Sequence, residues 1–254
     1  MHHPLVLVSV WVEHNLSIET YNTVVASVFI VVTLVLSFLL FRKLAQQVRN
    51  YKLEILYLIG TLVLLVVHSR FMFDSNIEVI HSLEFAILAF LLFPLSKRFG
   101  AAVFFTLPFM LIDEWYQYTV LYPQWNDYFD LNDILTDTYG CGLTMVGLMI
   151  MGAKGDENIR PLWKRPEFIG LLGGAILVLL LVKICFISAY ANEACGNTWL
   201  VMNERSISEP FWRPHPTHHI SFHVMKPSEG FIAIILLHLF YFGLDFFRIK
   251  RRAT

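Results

Sequence analysis

The sequence predicts an all-α membrane protein, a polytopic transmembrane helical bundle, and three observations indicate this class. Of the 254 residues, 56% are hydrophobic and 15% are aromatic, whereas only 15% are charged. The mean hydropathy is +0.59, which an ordinary water-soluble domain does not need. Seven apolar stretches are also long enough, or nearly so, to cross a hydrocarbon core about 30 Å thick as helices.

The seven predicted spans follow one another with little sequence between them. They lie at about 22–41, 55–73, 78–96, 100–121, 131–152, 168–190 and 230–247. We therefore predict one membrane domain over residues 1–254. The longest connection, 191–229, is predicted to form an extracytoplasmic loop or lid, because loops of this length are uncommon unless they are functional or disordered.

The orientation of the bundle follows from its lysines and arginines. Fourteen of these 19 residues fall in the connections after the first, third and fifth spans and in the segment after the seventh. The positive-inside rule then places the N-terminus outside and the C-terminus in the cytoplasm, which agrees with seven spans. The net charge of −1 gives no support for a nucleic-acid partner.

Polar and ionisable side chains occur in four successive predicted spans, always near the outer end. Such groups are costly in hydrocarbon, so they usually face a bundle interior or a wet cavity. Helical spacing gives each helix one polar face, and we expect these faces to meet in one pocket below the outer surface. The residues are His68, Arg70, Glu78, His81, Glu84, Asp113, Glu114, Gln117, Asp133 and Asp137. For Arg70, Glu78 and Asp133, reaching the lipid headgroups explains their position equally well.

Three motifs in these spans resemble those of a known family. His81-x-x-Glu84-Phe85 opens one span, Asp113-Glu114-x-x-Gln117 ends the next, and the run from Asp133 to Gly140 opens the following one. In this order they resemble the VanZ-like family of integral membrane proteins, over about residues 55–152, which would be a four-helix core. The resemblance implies a bacterial cytoplasmic membrane and a role in the cell envelope. The founding member is associated with teicoplanin resistance by an unclear mechanism.

The chain departs from the family pattern at two points. The family commonly has Asn where this chain has Asp137, and often has an Arg in the loop after the glutamine, where this chain has no basic residue. An extra carboxylate is thus present and a cation is missing. We expect Arg70 or Lys183 to supply the compensating charge.

The first functional hypothesis is a metal-dependent hydrolase or transferase acting on a lipid-linked or amphipathic envelope substrate. Imidazole and carboxylate ligands suit zinc or a similar divalent metal, which would activate a bound water. The predicted ligands are His68, Glu78, His81 and Glu84. The predicted catalytic residues, one of which would act as general base, are Asp113, Glu114, Gln117 and Asp137.

Two alternatives belong to other classes. A non-enzymatic binding protein or accessory subunit would hold a lipid headgroup or glycopeptide tail, alone or within a larger membrane complex. For an enzyme and for a binding protein alike, the predicted substrate-binding residues are Arg70, Tyr116, Asp133 and Lys183. A proton-coupled transporter is the least favoured class, because the cytoplasmic halves of the second to fifth spans carry few titratable groups.

Three further expectations concern residues outside the predicted pocket. The histidine-rich run 215–223 suits either metal binding or a merely polar loop. Three cysteines give no reason to assume a bridge between Cys185 and Cys195, so we predict no essential disulfide. Asp245 and Arg248 have the spacing of a surface ion pair.

Overall fold

The computed structural model describes residues 52–72, 78–121, 127–156, 160–205, 210–214 and 221–252, with eight isolated helical positions between residues 20 and 42. For residues 69–70, 78–81, 214 and 247–252 it describes the backbone alone. The described chain is mostly helical, as the sequence predicts. The first predicted span, about 22–41, lies largely outside the described residues.

Six α-helices make up most of the described chain. They are α1 (Lys52–Met72), α2 (Glu78–Ser96), α3 (Phe99–Tyr116), α4 (Leu131–Ile150), α5 (Pro166–Lys183) and α6 (Pro227–Arg252). Helix α3 continues into one π-helical turn, Gln117–Leu121, and short 3-10 turns lie at Leu162–Lys164 and Ala191–Glu193. The strands have two residues each: β1 (Ile187–Ser188) pairs in parallel with β2 (Leu200–Val201), and β3 (Arg213–Pro214) pairs antiparallel with β4 (Ser221–Phe222).

The described part supports fewer membrane spans than the seven predicted. By length and composition, two of its helices could cross a membrane: Pro166–Lys183 and Pro227–Phe246. Helices α3 and α4 each carry acidic side chains at the end that they share. These are the side chains that the sequence assigns to a pocket.

Helix α4 lies at the centre of the bundle and packs against α1, α2, α3 and α6. Small residues allow the closest approaches. A Cβ atom on Gly140 would lie 2.1 Å from the carbonyl oxygen of Ser82 in α2, and one on Gly142 would lie 2.1 Å from the hydroxyl oxygen of Tyr241 in α6. The core therefore forms around α4. Helix α5 lies outside it, packs mainly against α3 among the helices, and leaves most of its apolar side chains exposed.

Two ends of the bundle can be told apart by what lies there. At the site end, α1 and α3 end and α4 and α6 begin. Gly230 of α6 lies against Leu131 of α4 there, and the carbonyl of Phe71 accepts a hydrogen bond of 2.8 Å from the backbone of His223. At the opposite end, α3 and α5 begin. The positions of the site residues are given relative to these two ends.

At the opposite end, a carboxylate from α6 caps α3. The Asp245 Oδ1 atom accepts a hydrogen bond of 2.7 Å from the backbone of Phe99, and Oδ2 accepts one of 3.1 Å from Gly100. Asp245 is only 1% exposed, so its expected surface position is wrong, and the Arg248 side chain with which it was expected to pair lies outside the described residues. The first N–H groups of a helix have no partner within the helix, and a buried helix start needs such an acceptor.

Candidate functional site

Carboxylates from three helices converge at the site end. Asp137 of α4 lies within electrostatic reach of Asp113 and Glu114 of α3 and of Glu84 of α2. These four residues are the acidic cluster. The structure thus brings together four of the predicted site residues, and they come from the three helices that carry the resemblance motifs.

Asp137 is the buried residue of the acidic cluster that has a carboxyl oxygen without a hydrogen-bond partner among the described residues. Asp137 is only 4% exposed, and the atom that lacks this partner is Oδ1. A buried polar atom that lacks a partner carries a desolvation penalty of about 1–3 kcal/mol, and more when it is charged. A ligand that donates a hydrogen bond or carries positive charge would remove this penalty.

Glu114 has a structural partner. Its Oε1 atom accepts a hydrogen bond of 2.6 Å from the backbone N–H of Asp130, and the residue is 3% exposed. Asp130 in turn caps α4, because its Oδ1 atom accepts a hydrogen bond of 2.9 Å from the backbone of Asn132. Burial raises the pKa of the Asp130 carboxyl to about 6, against the lowering effect of hydrogen bonds from Asn132 and Tyr128. The sequence analysis did not single out Asp130, although an Asp just before a helix is a recognisable cap.

The remaining predicted catalytic residues occupy the end of α3. Gln117 donates a hydrogen bond of 3.2 Å from Nε2 to Asp113 Oδ2, which orients this carboxylate beside the cluster. Asp113 is partly exposed and Tyr116 is 38% exposed. Asp113 therefore lies nearer the surface than Glu114 and Asp137.

The predicted metal ligands are only partly described. His68 is 6% exposed, its ring lies edge-on to Tyr139 with 5.5 Å between ring centroids, and it interacts with the backbone of Asn132. The side chains of His81 and Glu78 lie outside the described residues. Among the side chains that the structure describes, no group of three or more His, Cys, Asp or Glu residues has the arrangement of a metal site.

The predicted substrate-binding residues lie in different places. Asp133 is partly exposed in the first turn of α4, three residues after the capping residue Asp130. The Arg70 side chain is not described. Lys183 is exposed in the last turn of α5, and no described contact joins it to the acidic cluster. The predicted role of Lys183 as a compensating cation thus finds no support in the described contacts.

The segment that follows α5 covers the site end. Residue Asn203 forms a bridge with Tyr128, and the backbone of Phe129 donates a hydrogen bond of 2.7 Å to the carbonyl of Met202. The hydroxyl of Tyr118 donates to the carbonyl of Val201 at 2.8 Å. We call residues 185–205 the cap. It is held on the ends of α3 and α4 mainly by backbone pairing.

Aromatic rings also join the cap to α3. Trp199 of the cap stacks on Trp115 of α3, with ring centroids 6.0 Å apart, and on Phe186 at 5.4 Å. Stacked aromatic rings bury a large apolar area and typically add about 0.5–1.5 kcal/mol each beyond that area. The cap therefore has an aromatic contact directly beside the acidic residues of α3.

The sequence analysis did not single out Arg205, a cation at the end of the cap that contacts the loop before α4. Its Nε and Nη2 atoms donate to the two carboxylate oxygens of Asp127 at 2.6 and 2.5 Å, and its guanidinium lies 4.4 Å from the ring centroid of Tyr128. It also acts electrostatically on Asp130. A positive charge thus reaches the loop after Gln117 from a segment almost 80 residues further along the chain. No local sequence signal indicates such a long-range contact.

The structure also pairs Cys185 with Cys195 in a disulfide, for which the sequence analysis gave no reason. The bridge closes a loop with a sequence separation of 10 residues at the start of the cap. The third cysteine, Cys141, is free and buried in α4. The sequence feature that could have indicated this disulfide is the position of both cysteines at the outer end of the predicted sixth span.

One histidine of the histidine-rich run is described, and it serves the start of α6. The His223 Nδ1 atom lies 2.7 Å from the carbonyl oxygen of Phe211, and Nε2 lies 2.9 Å from Glu229 Oε2. The same Glu229 oxygen accepts a hydrogen bond of 3.0 Å from the backbone of Lys226, as in a capping box. Both ring nitrogens of His223 are therefore occupied by hydrogen bonds within the protein. The other three histidines of the run lie outside the described residues.

No protein-family model, curated protein or solved structure matches this chain.

Proposed function

We propose that this chain is a VanZ-like integral membrane protein that binds the polar headgroup of a lipid or lipid-linked envelope molecule. The acidic cluster would receive the headgroup from the extracytoplasmic side, and Asp137 would be its principal acceptor. The molecule would cross a bacterial cytoplasmic membrane seven times, with its C-terminus inside. The open acceptor of Asp137 within the acidic cluster is the observation that carries this proposal.

Two features of the structure support a membrane environment. Helices α5 and α6 are long and apolar enough to cross a bilayer, and α5 exposes a broad apolar surface. The exposed residues of α5 include Ile169, Leu172, Ile176, Leu177, Leu179, Leu180 and Val182. Such a surface is larger than an isolated soluble helix tolerates, and lipid would cover it.

The disulfide supports the proposed orientation independently of the charges. Disulfides persist in oxidising compartments and are rare in the bacterial cytoplasm. The Cys185–Cys195 bridge lies at the site end, in the cap. The positive-inside rule places this same end outside the cytoplasm.

The cluster favours a ligand that brings positive charge. Glu114 already accepts the N–H of Asp130, and Asp113 accepts from Gln117. Asp137 has an open oxygen and is surrounded by carboxylates. An ammonium group of a lipid headgroup could donate a hydrogen bond to this oxygen and offset the surrounding negative charge.

A metal-dependent hydrolase or transferase is the second candidate, and one observation favours it. Carboxyl groups from two other helices act on Asp137, and carboxylate oxygens are ligands that divalent ions accept. A divalent ion would carry two positive charges and accept oxygen ligands there. A carboxylate left uncoordinated would then serve as general base for a bound water.

Ligand binding to the reconstituted protein tests the proposal. The full chain would be placed in phosphatidylcholine nanodiscs, and binding of short-chain phosphatidylethanolamine would be measured for wild type, Asp137→Asn and Glu193→Gln. Glu193 is an exposed carboxylate in the cap and serves as the control. We expect Asp137→Asn to weaken binding at least tenfold and Glu193→Gln to leave it unchanged. Equal binding by wild type and Asp137→Asn would refute the proposal.

A metal titration of the same nanodiscs distinguishes the second candidate. If wild type binds about one Zn²⁺ or Mn²⁺ per chain, and Asp137→Asn does not, the site is a metal centre. Phosphatidylethanolamine binding without stoichiometric metal would instead support the headgroup site.

A further inference from the structure

A buried histidine beside the start of α6 has an acceptor at each of its two ring nitrogens. His223 is only 3% exposed. Its Nδ1 atom lies 2.7 Å from the carbonyl oxygen of Phe211, and its Nε2 atom lies 2.9 Å from Glu229 Oε2. A neutral imidazole carries one N–H group and one bare nitrogen, whereas an imidazolium carries two N–H groups. Only the imidazolium can therefore donate to both partners.

Both partners act as acceptors. A carbonyl oxygen cannot donate a hydrogen bond. The Glu229 oxygen already accepts one of 3.0 Å from the backbone N–H of Lys226 at the start of a helix, where an ionised carboxylate is favoured. In a neutral His223, one ring nitrogen would turn its lone pair towards an oxygen, and a buried hydrogen bond would be left unmade.

An aromatic ring adds a third contact that favours the charged form. The ring of Phe211 is stacked on the ring of His223, with centroids 3.7 Å apart and an interplanar angle of 10°. A cation over the face of an aromatic ring, within about 6 Å of its centroid, is attracted by the π electrons. We call His223, Phe211 and Glu229 the clasp. Each contact within it stabilises the imidazolium.

The clasp joins three parts of the site end. Phe211 belongs to the segment 210–214, whose strand β3 pairs with β4. The carboxylate of the clasp belongs to the first turn of α6. The backbone N–H of His223 donates to the carbonyl of Phe71 at the end of α1, and the ring of Trp212 lies 5.7 Å from the Phe71 ring. A change at His223 therefore acts on how the segment is held against α1 and α6.

Other titratable or charged groups near the clasp come from the elements packed against it. Lys226 acts electrostatically on Glu229, and so does Tyr190 of the cap. The strand β3 contributes Arg213, and the side chain of Arg70 in α1 is not described. Among these side-chain types, histidine alone ordinarily changes its charge between about pH 5 and 8. A change of charge within the clasp in this range is therefore that of its histidine.

We infer that His223 is a pH-dependent switch that fastens the segment 210–214 to the start of α6. As an imidazolium it makes both hydrogen bonds, and the clasp is closed. When the pH rises and the ring releases its proton, one of the two bonds is lost and the segment loosens from α6. Because the clasp favours the protonated ring, its stability is complete at low pH and falls as the pH rises. This inference goes beyond the headgroup site and requires no ligand.

Hydrogen exchange measured by mass spectrometry tests the switch. The full chain in nanodiscs would be labelled at several pH values from about 5.5 to about 8.5, which bracket the range in which histidine changes charge. Labelling times would be scaled to the intrinsic exchange rate at each pH. We expect the protection of peptides that contain residues 210–214 and 221–230 to fall at least fivefold as the pH rises. Residues 85–92 of α2 carry no titratable side chain, and their protection should stay within twofold.

Two variants assign the effect to the clasp. His223→Gln cannot become charged, so its protection at low pH should be below that of wild type and should vary less than twofold with pH. Phe211→Leu keeps the carbonyl but removes the stacked ring, so the midpoint of its change in protection should move to lower pH. Trp163→Leu removes an exposed aromatic ring at the opposite end and is the matched control, with the wild-type profile expected.

Three results would overturn the inference. The first is wild-type protection that stays constant or increases as the pH rises. The second is an unchanged pH dependence in His223→Gln, because another group would then be responsible. Loss of protection in residues 85–92 of His223→Gln would show that this variant does not fold, and the Phe211→Leu midpoint then decides. An unchanged midpoint in Phe211→Leu is the third such result.

Failure of the switch and failure of the proposed function are separate outcomes. The exchange measurement contains no added lipid headgroup, so a negative result leaves the proposal for Asp137 as it stands. Conversely, equal phosphatidylethanolamine binding by wild type and Asp137→Asn would refute the headgroup site without changing the expected exchange profile of His223.

Discussion

At the scale of single residues, buried carboxylates in this bundle have divided roles. Glu114 holds the backbone of Asp130, and Asp130 caps α4, so these two acids position the helix that carries Asp137. Asp137 keeps an open oxygen. Glu114 and Asp130 thus have anchoring roles, and the proposed ligand-binding role belongs to Asp137.

Substitution of Glu114 tests the anchoring role. Glu114→Gln keeps an acceptor oxygen for the Asp130 N–H, whereas Glu114→Ala leaves that N–H without its partner. An unsatisfied buried donor costs about 1–3 kcal/mol. We therefore expect Glu114→Ala to lower the free energy of unfolding in detergent by about 2 kcal/mol and Glu114→Gln by clearly less. Equal losses in the two variants would show that this hydrogen bond does not anchor α4.

Asp130 should make the stability of the protein depend on pH. Burial raises its pKa to about 6 in the folded protein, from an ordinary value of 3.8. The folded state therefore binds the proton more tightly, and its stability falls as the pH rises from about 4 to 6. Asp130→Asn keeps a capping oxygen but cannot titrate. We expect the difference in melting temperature between wild type and Asp130→Asn to change across this pH window; a constant difference would contradict the assignment.

The sequence could identify the acids of the cluster but not all their partners. Glu84, Asp113, Glu114 and Asp137 stand out because carboxylates are rare in apolar helices, and helix direction predicts their common depth. Arg205 is a different case, because its side-chain contact with Asp127 joins two segments that are far apart in the sequence. Asp245 was assigned to the surface because local spacing suggested an ion pair, whereas tertiary packing buries it.

At the scale of elements, α4 organises the fold because small residues let its neighbours come close. Gly140 lies against the backbone of Ser82 in α2, and Gly142 lies against the ring of Tyr241 in α6. The sequence predicted helices at these positions. It did not predict that α4 would be central, because periodicity shows which face is polar but not which helices meet.

A pair of glycine substitutions tests this packing. Gly140→Ala places a Cβ atom 2.1 Å from a backbone oxygen, which cannot move away as a flexible side chain could. We expect a loss of about 1–3 kcal/mol or more in the free energy of unfolding. Gly173→Ala on α5 meets no atom within 4 Å and should be neutral or stabilising, since Ala favours helices over Gly. Similar effects of both substitutions, measured by thermal unfolding, would contradict the placement of α4.

At the scale of the whole molecule, charge and disulfide both agree with the proposed orientation. The cap with its Cys185–Cys195 bridge lies at the site end, which the positive-inside rule places outside the cytoplasm. Composition predicted the helical class. The sequence predicted seven spans, whereas two helices of the described residues are long and apolar enough to cross a membrane.

Cysteine labelling in intact bacteria tests the orientation. A membrane-impermeant maleimide should label Cys185 and Cys195 only after treatment with an impermeant reductant. Cys141 should stay unlabelled until the protein is denatured, because it is fully buried. Mass spectrometry of the labelled peptides gives the readout. Labelling of Cys195 only after the cells are permeabilised would place the cap on the cytoplasmic side and reverse the orientation.

The most direct measurement of the proposed site is an electron cryomicroscopy map of the full chain in a lipid nanodisc, at a resolution that shows side chains. We expect Glu84, Asp113, Glu114 and Asp137 to face one interior space that opens to the extracytoplasmic side. Density for a headgroup or ion should lie within hydrogen-bond or coordination distance of Asp137. A map in which these four carboxylates point apart into lipid, or lie at different depths, would contradict the shared site.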